Sequence, residues 1–151
     1  MSTPAATYDL GKLYGGLRLP AEKTVSTSLE IQQIPVPDQL VLPLAQHAGE
    51  PAHPVVGIGE YVLKGQLLAE PYGSLSAPVH ASSSGKVVAI EPWPVSRRFG
   101  ENAPCIVIEC DGDDTPVAPS EDMAPYNSLP PPALLKRILQ GGIVGLGGAV
   151  F

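Results

Sequence analysis

Few residues in this sequence could do chemistry, and their spacing limits what that chemistry is. His47 and His53 flank Ala48-Gly49-Glu50-Pro51-Ala52, and His80 follows in Ala77-Pro78-Val79-His80-Ala81. Imidazoles bind metals, but a metal site needs three or four donors at helix or hairpin spacing. Glu50 is the only carboxylate in the first loop and no cysteine stands beside it. Hydrogen-bonding roles are therefore expected for the three rings. Cys105 and Cys110 bracket Ile106-Val107-Ile108-Glu109 in a strand-like run. Positions of opposite parity lie on opposite faces of a strand. The pair is expected as two reduced, packed thiols that neither bridge nor share a metal. Ser82-Ser83-Ser84 precedes Gly85. A nucleophilic serine needs a strand–elbow–helix setting. This run reads instead as a turn, with Ser83 exposed.

What must position these residues is a set of short β-runs. Val55-Val56, Tyr61-Val62, Leu67-Leu68-Ala69 and Val87-Val88-Ala89-Ile90 are each too short for a helix. The turns Gly57-Ile58-Gly59-Glu60 and Leu63-Lys64-Gly65-Gln66 separate them, with glycine where a tight turn needs positive φ. Short strands joined this way indicate a mainly β fold, a small barrel or sandwich. The 18 Pro and 16 Gly among 151 residues argue against long helices, and 44% apolar residues suit one globular domain. A net charge of −6 with scattered cations argues against a nucleic-acid partner. No apolar run approaches the roughly 18 residues of a membrane span. Met1-Ser2-Thr3-Pro4 does not open a secretory signal, which favours a cytosolic face.

In chain order, residues 1–24 read as an extended N-terminal arm and 25–112 as the β-domain. Within it, Thr24 to Gln33 reads as an edge strand. Ile34-Pro35-Val36-Pro37-Asp38 is excluded from any central strand because proline lacks the ladder donor. Leu40-Val41-Leu42-Pro43-Leu44 reads as a strand. Residues 113–130 have the composition of a Pro-rich acidic linker. Residues 131–140 predict a helix: Pro131 opens it, Leu135, Ile138 and Leu139 share a face, and Gly141 closes it. The glycine-rich loop that follows gives G-x-G at Gly145 and Gly147. Its third position is Val150 and it follows a helix, so it misses the dinucleotide fingerprint.

Two patterns are more specific. G-x-G-E-x-V-x-x-G-Q-x-L from Gly57 and S-A-P-V-x-A-S-x-S-G-x-V from Ser76 resemble the biotinyl/lipoyl-type barrel-sandwich hybrid. The resemblance implies two four-stranded sheets around a pseudo-twofold axis. Carrier domains of that type present a lysine between the two motifs. Here Ala69 to Leu75 contains none, and Lys64 and Lys86 lie inside the motifs. A narrower set is similar to the C subunit of the Rnf ion-translocating electron-transport complex. It comprises Gly15-Gly16, Pro35 to Leu44, Gln46 to Ala52, Val62 to Gln66, Ser76 to Gly85, Cys105 to Glu109 and Gly142 to Ala149.

That resemblance implies a ferredoxin:NAD oxidoreductase subunit. In the family this module precedes a flavin- and NADH-binding domain, a β-grasp domain and a pair of four-iron clusters. The chain is then expected to be an N-terminal piece ending where the flavin domain starts, with 131–151 its first helix and loop. Gly145, Gly147 and Gly148 become a partial flavin loop, with Val150 where relatives carry glycine. FMN and two 4Fe-4S clusters are implied for the full-length family member and no cofactor for this chain. Its implied role is accessory: docking to the downstream flavin domain and to other subunits, peripherally, on the cytoplasmic side of the bacterial inner membrane. The alternatives are a stand-alone carrier or small-ligand barrel and the A subunit of the sodium-pumping NADH:quinone reductase, which shares the layout.

Overall fold

A computed structural model describes residues 23–95, 101–118 and 125–145. The chain divides into two units, Met1–Ile34 and Pro35–Phe151. In the first, all but residues 23–34 lies outside the described residues, including most of the expected arm. One helical turn, α1 (Thr24–Thr27), stands where an edge strand was expected, and 28–34 has no regular structure. The reason is local. The Lys23 carbonyl accepts from the Thr27 N–H (2.9 Å) and from the Ser26 and Thr27 hydroxyls (3.1 and 2.8 Å). Short hydroxyl side chains that bond nearby carbonyls hold a turn in preference to an extended ladder.

The second unit is mainly β. Its strands are β1 (Gln39–Pro43), β2 (His53–Pro54), β3 (Tyr61–Val62), β4 (Leu67–Glu70), β5 (Val79–His80), β6 (Gly85–Pro94) and β7 (Asn102–Cys110). All pairings among these strands are antiparallel. One sheet runs β1-β7-β6-β3. The other, with three strands among the described residues, runs β2-β4-β5. No strand forms at Val55-Val56 as expected; the strand lies just before it, at His53–Pro54. Pro54 is tolerated because β2 is an edge, and the Val55 N–H still reaches the Leu68 carbonyl at 2.9 Å.

The two glycine turns close in the same way. Glu60 N–H donates to the Gly57 carbonyl (3.1 Å), while the Gly57 N–H donates back to the Glu60 carboxylate (3.0 Å). Gln66 N–H donates to the Leu63 carbonyl (2.9 Å), and the Leu63 N–H donates to the Gln66 amide oxygen (3.0 Å). Between these turns and the sheets lies one core cluster that draws Leu42, Val62, Leu68, Val79, Val87, Ile106 and Ile108 from both sheets. Each fully buried aliphatic side chain contributes about 1.5–3 kcal/mol.

Two polar or small residues carry more of the architecture than their size suggests. His47 is 4% exposed. Its Nε2 accepts from the Ala77 N–H at 3.0 Å, which puts the ring proton on Nδ1, 2.9 Å from the Ala48 carbonyl. The neutral ring thus ties the loop after β1 to the loop before β5. Gly85 is buried at φ +155°, and a Cβ there would lie 2.1 Å from the Glu109 carbonyl oxygen of β7. Only glycine lets β6 start this close to its neighbour.

Gly85→Val is expected to cost about 3 kcal/mol or more through backbone displacement, while Lys86→Ala, exposed on the same strand, stays within about 0.5 kcal/mol. Equal urea midpoints for the two variants would contradict the close approach. His47→Phe leaves the buried Ala77 N–H without an acceptor and should cost about 1–3 kcal/mol. An unchanged melting temperature would show that the ring only fills space.

Candidate functional site

The helix predicted over 131–140 forms as α2 (Pro131–Gln140). Pro131 sits at its first turn, where a missing N–H costs nothing. At its end the Gly141 N–H reaches the Arg137 carbonyl (3.0 Å) and the Gly142 N–H the Leu139 carbonyl (3.0 Å). Gly142 then rests against β5: a Cβ there would stand 3.0 Å from the Pro78 carbonyl oxygen and 3.3 Å from His80 Nδ1. Between α2 and β4–β5 opens a cleft of about 510 Å³. Leu67, Pro71, Pro78 and Leu139 line it, with Glu70, His80, Lys136 and Gln140 as its polar groups. No residue of α2 is buried, and Leu135 is 68% exposed.

The histidines do not converge. His47 has one ring nitrogen bonded within the loop after β1, to Ala48, and the other to Ala77 before β5. His53 faces the Tyr72 ring at 6.4 Å. His80 pairs with Leu67 across β5 and β4 and lines the cleft. Among the described residues no cluster of three His, Cys, Asp or Glu is placed to hold a metal. Cys105 is buried opposite Pro43 and Glu91, and Cys110 half-buried opposite Gly85; both are free thiols. Burial pushes both thiols above their ordinary value, away from the thiolate that ligates iron. These residues do not fit a four-iron cluster.

Of the flavin-loop glycines, Gly145 is exposed, and Gly147 and Gly148 lie outside the described residues. The start of α2 is no substitute for that loop. Pro130, Pro131 and Pro132 remove the N–H donors that a phosphate would need at a helix N-terminus. The described residues therefore contain no fitted flavin cradle.

Sequence reasoning missed a polar cluster where β7 leaves the barrel. Ser83 and Ser84 are buried, not exposed in a turn, because each bonds an aspartate. Ser84 Oγ donates to Asp111 Oδ1 (2.8 Å) and accepts from the Thr115 N–H (2.7 Å). Ser83 Oγ donates to Asp114 Oδ1 (2.8 Å). Tyr61 donates its hydroxyl to Asp111, and Lys64 pairs with Asp114. Backbone bonds run from the Lys64 N–H to the Thr115 carbonyl and from the Val117 N–H to the Lys64 carbonyl, both at 2.9 Å. The segment after β7 is thus laced to β3 and β6. The only signal was the crowding of Asp111, Asp113 and Asp114 opposite the serine run, and it reads equally as the start of a linker. Lys64, one of two motif lysines, is held by this ion pair; Lys86 lies exposed opposite Tyr61.

The Tyr61 hydrogen bond holds the Asp111 carboxyl below its ordinary value, and Lys64 does the same for Asp114. In return Asp111 raises the Tyr61 hydroxyl. Depressed acids stabilise the fold above the ordinary Asp value of 3.8, and that stability is lost as pH falls through the folded-state values. The raised tyrosine stabilises below its ordinary 10.0 and ceases to do so as pH climbs through its folded value. Asp111→Asn should lower the melting temperature at pH 7, with the gap to the parent narrowing toward pH 2. A gap constant across that range would remove the carboxylate from the account.

The family model of the RnfC barrel sandwich hybrid domain matches residues 11–113. The C subunit of the ion-translocating oxidoreductase complex of Pseudomonas aeruginosa is 49% identical over 139 residues, 91% of this chain and 18% of that protein. The C subunit of the Na(+)-translocating ferredoxin:NAD(+) oxidoreductase complex of Acetobacterium woodii is 40% identical over 144 residues, 93% of this chain and 31% of that protein. The C subunit of the Haemophilus influenzae ion-translocating oxidoreductase complex is 35% identical over 156 residues, 100% of this chain and 23% of that protein. The chain thus spans between 18% and 31% of the length of these relatives. With two antiparallel sheets sharing one core and a match over most of its length, it belongs to the RnfC barrel sandwich hybrid domain family.

Proposed function

We propose that the chain is the docking module of an NADH- and flavin-handling subunit in a membrane-associated, ion-translocating electron-transport complex. The observation that carries this reading is the 49% identity with the Pseudomonas subunit over 91% of the chain. In this reading the module does no redox chemistry of its own. FMN and two 4Fe-4S clusters belong to other parts of the subunit, since Cys105 and Cys110 suit no cluster. A flavin held elsewhere in the subunit would supply hydride exchange with a nicotinamide. What this chain contributes is the β-barrel and the helix α2 that follows it. No described helix is long and apolar enough to cross a membrane. In this reading attachment is peripheral, through other subunits on the cytoplasmic side of the inner membrane. A swinging-arm carrier is disfavoured because the Ala69 to Leu75 interval lacks lysine and Lys64 is engaged by Asp114.

An affinity-tagged copy expressed in its own cells should sediment with membranes and copurify with integral subunits after detergent extraction. It should leave membranes on a high-salt or alkaline wash. Recovery wholly in the supernatant, or an intact mass carrying a lipoyl or biotinyl adduct, would contradict the proposal.

A further inference from the structure

We infer that Asp111-Gly112 is a latent site of backbone isomerisation, held shut by Tyr61, Ser84 and the Asp113 N–H. It is the sequence's single Asp-Gly pair. In such a pair the glycine nitrogen attacks Cγ of the preceding protonated carboxyl. A C–N bond forms, and the carboxyl hydroxyl leaves with the amide proton as water, giving a cyclic imide. Water then opens the ring. Opening at Cγ restores aspartate. Opening at the Asp111 main-chain carbonyl leaves isoaspartate, with the chain running through Cβ and Cγ. One water leaves and one enters, so mass and oxidation state are unchanged. Glycine hinders the attack least, because it has no side chain. Gly112 is exposed, and nothing lies within 4 Å of where its Cβ would stand.

The obstacle is therefore on the carboxyl side. Asp111 Oδ1 accepts from Ser84 Oγ (2.8 Å) and from the Asp113 N–H (2.9 Å), and Oδ2 accepts from the Tyr61 hydroxyl. The Asp111 N–H donates to the Ser84 carbonyl at 3.3 Å, which pins the main chain as well. One of these oxygens must be protonated and then leave, so attack cannot run with the bonds in place. The Tyr61 bond also favours the ionised carboxylate, the form with no leaving group. Isomerisation would undo more than one residue. The isoaspartyl carboxylate sits directly on Cα while the chain gains an atom, so it no longer presents both oxygens to Tyr61 and Ser84. The segment after β7 then loses the anchor that keeps Thr115 on Ser84 and Asp114 on Lys64.

The test incubates three samples in mildly acidic buffer: the 151-residue chain, its Tyr61→Phe variant, and a synthetic peptide of residues 108–115. Isoaspartate at position 111 is counted by fragmentation mass spectrometry. The peptide should accumulate it, and the folded chain should do so at least about tenfold more slowly, the factor that one charge-assisted hydrogen bond supplies. Tyr61 is 54% exposed, so losing its hydroxyl leaves the core intact. With an unchanged circular dichroism spectrum, Tyr61→Phe should isomerise about tenfold faster than the parent. The purified isoaspartyl form should melt lower than the parent, with faster deuterium exchange at the amides of 115–117. A parent that isomerises as fast as the peptide, or a peptide that stays unmodified, would overturn the inference. So would a folded Tyr61→Phe as slow as the parent, since protection would then lie elsewhere. If Tyr61→Phe does not fold, the comparison of parent with peptide decides alone.

Discussion

The barrel depends on β7 being paired on both sides at once. Its segment Cys105–Ile108 is buried, with β1 hydrogen-bonded along one edge and β6 along the other. Ile106 and Ile108 sit in the common core with Val62, Leu68 and Val87. A strand buried this fully has no exposed polar edge, so every backbone group needs a partner strand within reach. Gly85 supplies that reach on the β6 side, where any side chain would strike the Glu109 carbonyl. Once β7 is fixed, the strands left to β2, β4 and β5 are short, because the loops around them are set by side-chain bonds such as that of His47.

Much of this was legible from residue types. The turns at 57–60 and 63–66 follow from glycine placement, and Glu60 and Gln66 close them from within, so the strands between had to be short. The helix over 131–140 was legible from Pro131 and Gly141, whose roles are local. Other features were not local. Proline at position 54 suggested a loop, yet an edge strand tolerates it because the missing N–H faces away from the ladder. Thr24–Thr27 lost its expected extended form to one carbonyl, Lys23, that three donors share.

The site was harder to read than the fold. Ser83 and Ser84 looked like a turn, and Asp111 and Asp114 like the head of a linker. About thirty residues of sequence separate them, and only the return of β7 beside β6 brings them together. The cleft is illegible for the same reason. Its walls come from β4, β5 and a helix some sixty residues later, and nothing in the spacing of Leu67, His80 and Leu139 links them. The glycines from 145 onward had meaning only by resemblance, since their spacing fits no phosphate-binding pattern.

Proline also guards the margins of these sheets. Pro43 closes β1, Pro54 lies in β2, and Pro92 stands directly opposite Pro104 where the β6–β7 ribbon runs past the end of β1. β1 and β2 are edges of their sheets. A bare strand edge is a template on which another chain can add by backbone pairing, the first step toward fibrillar association. Proline offers no N–H to such a newcomer. The ends of β1 and β2 and the distal ribbon are therefore poor templates, and a small β-protein with short strands and exposed apolar side chains gains protection against edge-to-edge growth from the residues that made its strands look improbable.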